Sequence, residues 1–418
     1  MDPGALLLKP PPPPAQSSRP LHVAVVTETF PPEVNGVAMT LGRMVQGLIA
    51  RGHRVSLTRP RQAGEIQPAA RPGLSTTLVR GLPIPGYRGL RFGLPARSMF
   101  QRLWREERPD VVQVVTEGPL GASAVAAARR LGIPAISEFH TNFHGYCHHY
   151  GLGWLRPLVA AHLRRLHNRA MMTLVPSHAM RGELLGAGYH RVRTVARGVD
   201  TALFHPGRRS EALRRQWGAG PDDLVVAHVG RLAPEKNLAL VFAAFDEIAA
   251  RHGGARLLLV GDGPLRRPLE RRHPWHLFAG MRHGEDLAAH YASADLFLFP
   301  SLTETYGNVV LEALASGLRV IAFRLAAAAE LVSHGDNGLL AVPGEDAEFV
   351  RQARDLAECV ANRAGDRARA AERAAASVAG LSWDAIHDRL LAVMHEAIAV
   401  HAAATANPSA MQPGAAIP

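Results

Sequence analysis

Residues 299–317, FPSLTETYGNVVLEALASG, decide how this chain is organised. They continue the apolar run LFLF, which closes at Phe299 and predicts a buried parallel strand. A proline stops the strand, and Gly307 with Asn308 predicts a turn whose asparagine caps the next helix. The helix is predicted to stop at Gly317, since glycine favours the left-handed conformation found at helix C-termini. The stretch therefore predicts a strand, a polar turn and a helix in succession.

This order places a helix N-terminus at the carboxyl edge of a sheet, where its unpaired N–H groups and dipole attract phosphate. Two carboxylates accompany it. Glu304 lies in the turn, within reach of a hydroxylated ligand, and Glu312 follows eight positions later, where it can accept hydrogen bonds from a ribose diol. The same residues also fit a capped core helix with two solvated glutamates, so this stretch alone leaves both interpretations open.

Length and composition restrict the class of protein. A chain of 418 residues accommodates two domains with separate cores, and 47% hydrophobic residues are typical of a globular protein. No apolar run is long enough to span a bilayer, so no transmembrane helix is expected. The formal charge of +11 indicates an anionic partner. Because aromatic residues make up only 6% and no nucleic-acid module is recognisable, we expect no nucleic-acid partner.

Short apolar strands alternate with helices through most of the chain. This alternation predicts an α/β fold with doubly wound parallel sheets. The first strand and helix lack G-x-G-x-x-G, so a nicotinamide or flavin site is not expected. We place a disordered leader at 1–19, the first domain at 20–197, the second domain at 198–378, a C-terminal helix that packs back on the first domain at 379–402 and a disordered tail at 403–418.

The second half of the chain begins with a pair of cations. Gly230 ends a predicted strand, Arg231 follows directly, and Lys236 comes five positions later, just before a helix that begins near Leu238. Arginine offers a planar fork and lysine a point charge, so the pair suits a diphosphate. The alternative is two ordinary surface charges at the start of a helix.

Together these motifs resemble the retaining glycosyltransferases of family 4. The resemblance implies the GT-B fold, in which two Rossmann-like doubly wound parallel-sheet domains have a cleft between them. The resemblance covers nearly all of residues 20–400. Its motifs are the two glutamates, GRLxxxKN at 230–237, FHTNF at 139–143 and GVDxxxFxP at 198–206. The resemblance implies that Arg231 and Lys236 neutralise the leaving diphosphate of a nucleotide-sugar. It also implies that Glu304 holds hydroxyl groups of the donor hexose and Glu312 the ribose.

The resemblance implies further contacts with the donor. A glycine turn after the first strand would approach the donor, the backbone N–H groups of the central turn would face the diphosphate and sugar, and the end of a later strand would hold the base or a phosphate. The further donor-binding residues expected on this basis are Gly36, Gly230, Arg282, Thr305, Tyr306, Gly307 and Asn308.

His140 is the remaining candidate. By resemblance it touches the donor sugar and the reacting centre, so the catalytic candidates are His140, Arg231, Lys236 and Glu304. The alternative for His140 is a histidine of the core or of the cleft without a catalytic role. His140 also opens a cluster of histidines and one cysteine at 140–149, which raises the question of a metal site. Because no second cluster supplies partner ligands, we expect no metal and no other cofactor beyond the nucleotide-sugar donor.

FHTNF is similar to the segment that the family's lipid-directed mannosyltransferases carry, which implies GDP-mannose as donor and a lipid or glycan acceptor. The positive charge agrees with an anionic inner leaflet, and the stretches 81–105 and 154–169 are candidate membrane-facing surfaces. Ordinary packed or solvated helices are the alternative for both stretches. Two cysteines give no disulfide framework, so we expect a cytoplasmic protein, with peripheral attachment to the membrane as a further expectation.

Three other functions fit the same fold. One is a nucleotide-sugar epimerase or hydrolase, the second a glucosyl or sulfoquinovosyl transferase that uses a UDP-sugar, and the third a catalytically idle protein that binds a nucleotide-sugar. The sequence leaves the oligomeric state open.

Overall fold

The computed structural model describes residues 19–33, 35–83, 91–139, 156–302, 304, 306–362 and 366–406. These residues form two compact units. The first unit contains the chain up to Ala196 and again from Asp384, and the second unit is Arg197–Trp383. Both are built on parallel sheets, so the predicted fold class is confirmed. The predicted leader up to residue 18 and the tail from residue 407 lie outside the described residues.

The first unit has a parallel sheet whose strands are connected by helices. Its strands are β1 (His22–Val26), β2 (Arg54–Pro60), β3 (Leu74–Val79), β4 (Gly81–Pro83), β5 (Arg91–Gly93), β6 (Val111–Val114), β7 (Ala135–Glu138), β8 (Met172–Val175) and β9 (Val192–Thr194). Its helices up to that point are α1 (Gly36–Ala50), α2 (Arg97–Glu106), α3 (Pro119–Leu131), α4 (Arg156–Arg169) and α5 (His178–Gly186). In the described part of the chain the sheet has the order β3-β2-β1-β6-β7-β8-β9, with β4 and β5 as a separate antiparallel pair.

The apolar strands of the first unit are buried on both faces because helices cover both sides of the sheet. Every residue of β1 and β6 is buried. Helix α2 adds Phe100 and Trp104 to this core, with the two ring centres 4.8 Å apart. The apolar face of α2 is therefore used in packing, as the second interpretation of residues 81–105 predicts. Residues 84–90 of that stretch lie outside the described part.

The second unit repeats the architecture. Its strands are β10 (Val225–Val229), β11 (Arg256–Val260), β12 (Leu277–Gly280), β13 (Leu296–Phe299), β14 (Arg319–Phe323) and β15 (Gly338–Ala341). Its helices are α6 (Glu211–Gln216), α7 (Leu238–Ala249), α8 (Arg266–Arg272), α9 (Gly284–Ala292), α10 (Asn308–Ala315), α11 (Ala326–Leu331), α12 (Asp346–Asn362) and α13 (Arg367–Ala376). The described strands pair in parallel in the order β12-β11-β10-β13-β14-β15.

The last helix, α14 (Trp383–Ala406), belongs to the first unit from Asp384 onward. It lies against α1, where the ring of His387 is so close to Gly47 that a Cβ there would be 2.1 Å from it. Arg51, the C-cap residue of α1, pairs with Asp384 at 2.9 Å. The helix continues past the predicted end at residue 402 because the alanines that follow are strong helix formers. Within the described residues, none of the helices has both the length and the apolar character needed to cross a bilayer.

The central strand, turn and helix form as predicted, with one correction. β13 has the predicted bounds, α10 ends at Ala315, and Gly317 takes the expected left-handed conformation with φ +88°. The prediction that Asn308 caps the helix is wrong. Gly307 is the N-cap with φ +91°, Asn308 is the first helical residue, and no side chain of a described residue caps α10. Glycine suits this cap because a Cβ is costly in the left-handed region.

Replacing Gly317 by alanine should destabilise the second unit more than replacing Gly344, although both residues have φ +88°. A Cβ at position 317 would lie 2.7 Å from Ala371 Cβ and 3.0 Å from Pro206 Cγ, whereas nothing lies within 4 Å at position 344. Both variants incur backbone strain of about 1–2 kcal/mol. Only Gly317→Ala adds an overpacking cost of about 1–3 kcal/mol, which urea unfolding measures. Equal losses in the two variants would contradict the close contact with α13.

Candidate functional site

The sheet of the second unit has a switch point between two neighbouring strands. The chain adds β11 and β12 on one side of β10, and then adds β13, β14 and β15 on the other. At such a point the connections leave in opposite directions and open a crevice at the carboxyl ends of the two strands. The segments that follow β10 and β13, which hold most of the predicted site residues, border this crevice.

A buried histidine joins the two strands where the crevice opens. The last ladder pair between β10 and β13 is Ala227 with Phe297. One residue further on, His228 Nδ1 lies 3.0 Å from the carbonyl oxygen of Leu298. Burial lowers the pKa of His228 to about 4, so the ring is neutral at physiological pH and Nδ1 carries the proton that it donates. His228 was not among the predicted site residues.

The lysine and the glutamate that follow these strands form an ion pair. Lys236 lies in a 3-10 turn after β10, and its Nζ contacts Oε1 of Glu304, which follows β13. Ser301 Oγ donates to the same oxygen at 2.7 Å, and the Lys236 ammonium lies 5.7 Å from the centre of the Phe299 ring. The two charged side chains are 18% and 15% exposed, so a ligand can still reach them. The structure thus brings together the lysine that is predicted to bind the diphosphate and the glutamate that is predicted to bind the hexose.

Arg231 and Gly230 lie at the end of β10. The Arg231 side chain is 66% exposed and its Nη1 is 3.5 Å from Glu235 Oε1, so its guanidinium is held only by a solvated contact. Gly230 marks a close approach of two backbones, because a Cβ on Gly261, after β11, would lie 1.9 Å from the Gly230 carbonyl oxygen. The small residues let the ends of β10 and β11 pack together beneath the exposed arginine.

The turn before α10 is held by backbone contacts. The carbonyl oxygen of Tyr306 accepts a hydrogen bond of 2.9 Å from the N–H of Ala327, at the start of α11, and the tyrosine itself is buried. Gly307 and Asn308 follow, so the first turn of α10 begins at the carboxyl edge of the sheet. N–H groups in such a position attract an anion. Their contact with a diphosphate stays a prediction.

Glu312 is less exposed than a surface glutamate. Its Oε2 accepts a hydrogen bond of 3.0 Å from the hydroxyl of Tyr291, a fully buried residue of α9. Burial raises the pKa of Glu312 to about 7, although the bond from Tyr291 acts in the opposite direction. Burial and the neighbouring carboxylate also raise the pKa of Tyr291 well above its usual value. The charge on Glu312 therefore changes near neutral pH, and hydroxyl donors from a ligand would favour the ionised form. No sequence motif pointed to Tyr291.

The remaining predicted residues do not belong to the segments that follow β10 and β13. Arg282 follows β12, where its Nε donates to the carbonyl of Ala279 at 2.9 Å and its Nη1 contacts Asp286 at 3.0 Å. Gly36 belongs to the first unit, as the first residue of α1. His140 and Thr305 lie outside the described residues. Their predicted roles stay predictions.

The described residues contain no group of three or more histidine, cysteine, aspartate or glutamate side chains that could hold a metal ion. The histidine cluster at 140–149 lies outside the described part of the chain. The expectation that the protein needs no metal therefore stays a prediction.

The sequence matches two family models. The model described as Glycosyltransferase Family 4 matches residues 34–203, and the model described as Glycosyl transferases group 1 matches residues 223–359. Two relatives with the name GDP-mannose-dependent alpha-mannosyltransferase come from Mycobacterium tuberculosis and Corynebacterium glutamicum. The first is 37% identical over 89% of this chain and 95% of its own length, and the second is 34% identical over 91% and 90%.

A further relative, sulfoquinovosyl transferase SQD2 of Arabidopsis thaliana, is 30% identical over 81% of this chain and 67% of its own length. Among solved structures, Anabaena HepE in complex with UDP is similar with a TM-score of 0.68 and 18% identity, covering 90% of this chain and all of that one (100%). Sucrose-phosphate synthase from Thermosynechococcus elongatus has a TM-score of 0.69 and 16% identity, covering 91% and 100%. These two structures show that the fold is shared.

The stability of the protein should depend on pH through Glu312. Because its pKa in the folded protein is about 7, against 4.5 for the free side chain, folding favours the protonated form. This contribution is complete below about pH 4.5 and is lost as the pH rises through about 7. Glu312→Gln cannot ionise, so it should gain roughly 3 kcal/mol relative to the wild type between pH 4.5 and pH 8. Urea unfolding at the two pH values measures this difference, and a constant difference would contradict the burial of the carboxyl.

Proposed function

The chain belongs to glycosyltransferase family 4 and is a glycosyltransferase, and we propose that it transfers mannose from GDP-mannose to a hydroxyl group of a lipid or glycolipid. The observation that carries the proposal is its similarity, at 37% and 34% identity over 89% and 91% of the chain, to relatives named GDP-mannose-dependent alpha-mannosyltransferase. The crevice after β10 and β13 supplies the cations, the carboxylates and the helix N-terminus that such a donor requires.

In the proposed complex the donor replaces the ion pair of the site. Lys236 and Glu304 are each other's counter-ion, and both are mostly buried. A diphosphate would compete for the ammonium of Lys236, while hexose hydroxyl groups would donate to the carboxylate of Glu304. A buried charge that loses its partner costs on the order of 3–5 kcal/mol. The donor avoids this cost because a different part of the same ligand compensates each of the two charges.

The cations then stabilise the leaving group. Cleavage of the bond between sugar and phosphate transfers charge to the diphosphate, and preorganised donors aimed at that charge are usually the largest catalytic term. Arg231, Lys236 and the N-terminus of α10 fill this role in the proposal. As the sugar–phosphate bond breaks, the acceptor oxygen bonds to the anomeric carbon from the face that the diphosphate leaves, which retains the anomeric configuration. The hydroxyl proton passes to the departing diphosphate. In this proposal no metal is required for charge neutralisation.

The lipid acceptor is supported by the names of relatives. A Mycobacterium tuberculosis relative, 29% identical over 77% of this chain, is named GDP-mannose-dependent alpha-(1-6)-phosphatidylinositol dimannoside mannosyltransferase. Peripheral attachment to the inner leaflet of the membrane is part of the proposal. Helix α4 offers a surface for it, since Arg164, Arg165 and Arg169 are exposed while Leu163 and Leu166 are buried. The epimerase and hydrolase alternative is not favoured, because the relatives compared above are named mannosyltransferase or sulfoquinovosyl transferase.

A panel of GDP, UDP and ADP should identify the base. We expect GDP alone to raise the melting temperature, with a stabilisation of about 2–3 kcal/mol at a hundred times the dissociation constant. Lys236→Ala should lose this response. Stabilisation by UDP instead of GDP would support the UDP-sugar alternative and reject GDP-mannose as the donor.

Transfer itself is measured with radiolabelled GDP-mannose and extracted membrane lipids. Lys236→Ala should lower kcat/KM on the order of 10²–10³-fold, because it removes a cation from the leaving group. Arg351→Ala is the matched control, since Arg351 is an exposed cation on α12, whose Nη2 lies 4.0 Å from Glu348 Oε1. It should leave the rate unchanged. If both variants lose activity equally, the assignment of Lys236 to the leaving group is wrong.

A further inference from the structure

Tyr291 is a buried residue that the proposed donor chemistry does not use directly. It lies near the C-terminal end of α9, and none of its surface is exposed. Its hydroxyl donates a hydrogen bond of 3.0 Å to Oε2 of Glu312, which belongs to α10. Both helices are part of the second unit. The hydrogen bond therefore connects the interior of this unit to a carboxyl of the candidate site.

Two phenylalanines fix the position of the Tyr291 ring. The centre of the Phe204 ring lies 5.8 Å away in an edge-to-face arrangement, and the centre of the Phe297 ring, in β13, lies 6.0 Å away. Phe204 is itself buried and belongs to the motif at 198–206. Aromatic rings at these separations prefer defined orientations. Because the ring is enclosed by both phenylalanines, its hydroxyl keeps one direction, toward the carboxyl of Glu312.

The two oxygens of the Glu312 carboxyl have different surroundings. Oε2 accepts the hydrogen bond from Tyr291, the one hydrogen bond that a described residue donates to this carboxyl. Oε1 is not among the described side-chain atoms that are fully buried and lack a partner, and Glu312 as a residue is only partly buried. A carboxylate has about four acceptor sites. The carboxyl therefore retains acceptor sites for the hydroxyl groups of a ligand.

No charged side chain of a described residue balances this carboxyl. Besides α9, the elements α11, α13 and β14 pack against α10, yet only two influences act on the pKa of Glu312. Burial raises this pKa to about 7, and the hydrogen bond from Tyr291 lowers it. Glu304, in contrast, has Lys236 as its counter-ion. Without a cation, the ionisation of Glu312 depends on the hydroxyl groups that donate to it.

We propose that Tyr291 is a positioning residue of the donor site, whose hydroxyl holds Oε2 of Glu312 and leaves Oε1 free to accept hydrogen bonds from the ribose of the nucleotide. The proposal rests on the proposed transferase function and deepens it, since Tyr291 touches no ligand and acts through Glu312. Ribose hydroxyl groups bind best to the ionised carboxylate, which the Tyr291 hydroxyl stabilises. Recognition of the ribose is therefore strongest above about pH 7 and weakens as the pH falls through that value.

Isothermal titration calorimetry with GDP and with 2′,3′-dideoxy-GDP, on both sides of neutral pH, tests the proposal. The two nucleotides share the base and the diphosphate. The ratio of their affinities at one pH therefore reports the ribose hydroxyl groups, and the titration of the phosphate cancels. In the wild type the ratio should be on the order of tenfold or more above about pH 7, and it should decrease below that pH.

Tyr291→Phe keeps the ring and its packing but removes the hydrogen-bond donor. The pH at which the ratio decreases should rise by about 1–2 units, because a hydrogen bond to a charged group contributes about that much. Glu312→Gln cannot ionise, so its ratio should be small and independent of pH. Tyr189→Phe, at a buried tyrosine of the first unit, is the matched control and should behave like the wild type.

The outcomes separate this proposal from the proposed function. If Tyr291→Phe gives the same ratio as the wild type, or lowers it by one factor at every pH, Tyr291 does not position the carboxylate, and the donor proposal stands. A wild-type ratio near one at every pH would show that Glu312 does not bind the ribose, which also overturns the inference. If neither nucleotide binds to the wild type, the proposed function itself fails. Melting temperatures of the same samples show that each variant is folded.

Discussion

The pairing of β10 with β13 is the constraint on which the candidate site depends. These strands are neighbours in space but are separated in sequence by α7, β11, α8, β12 and α9. Because they run parallel, their carboxyl ends lie at the same edge, and the segments after them meet although they come from distant parts of the chain. The contact between Lys236 and Glu304 is the direct consequence of this pairing.

The two glutamates that look alike in the sequence have different environments. Glu304 is balanced by a lysine and a serine hydroxyl. Glu312 accepts a hydrogen bond from a tyrosine hydroxyl, yet burial raises its pKa to about 7. One carboxylate is thus matched by a cation, and the other is held near the point of protonation. A ligand that replaces the cation at the first and donates hydroxyl groups to the second would satisfy both, as the proposed donor does.

Local signals predicted much of the fold and of the site. The apolar run of β13, the stop of α10 before Gly317 and the cations after β10 follow from neighbouring residues. Tyr291 and His228 could not be predicted in this way, because each acquires its role through a partner on another element. The cap of α10 was assigned to Asn308 from residue preference, but the backbone needs φ +91° one position earlier, where glycine fits better. Short edge strands such as β3 and β9 also lacked a clear apolar run.

A crystal structure of the complex with GDP tests the central claim most directly. The account predicts the diphosphate at the crevice after β10 and β13, with Lys236 Nζ moved from Glu304 to a phosphate oxygen and the ribose hydroxyl groups on Glu312. Phosphate oxygens at the first turn of α10 would complete this result. A nucleotide bound elsewhere, with the Lys236–Glu304 contact intact, would contradict the account.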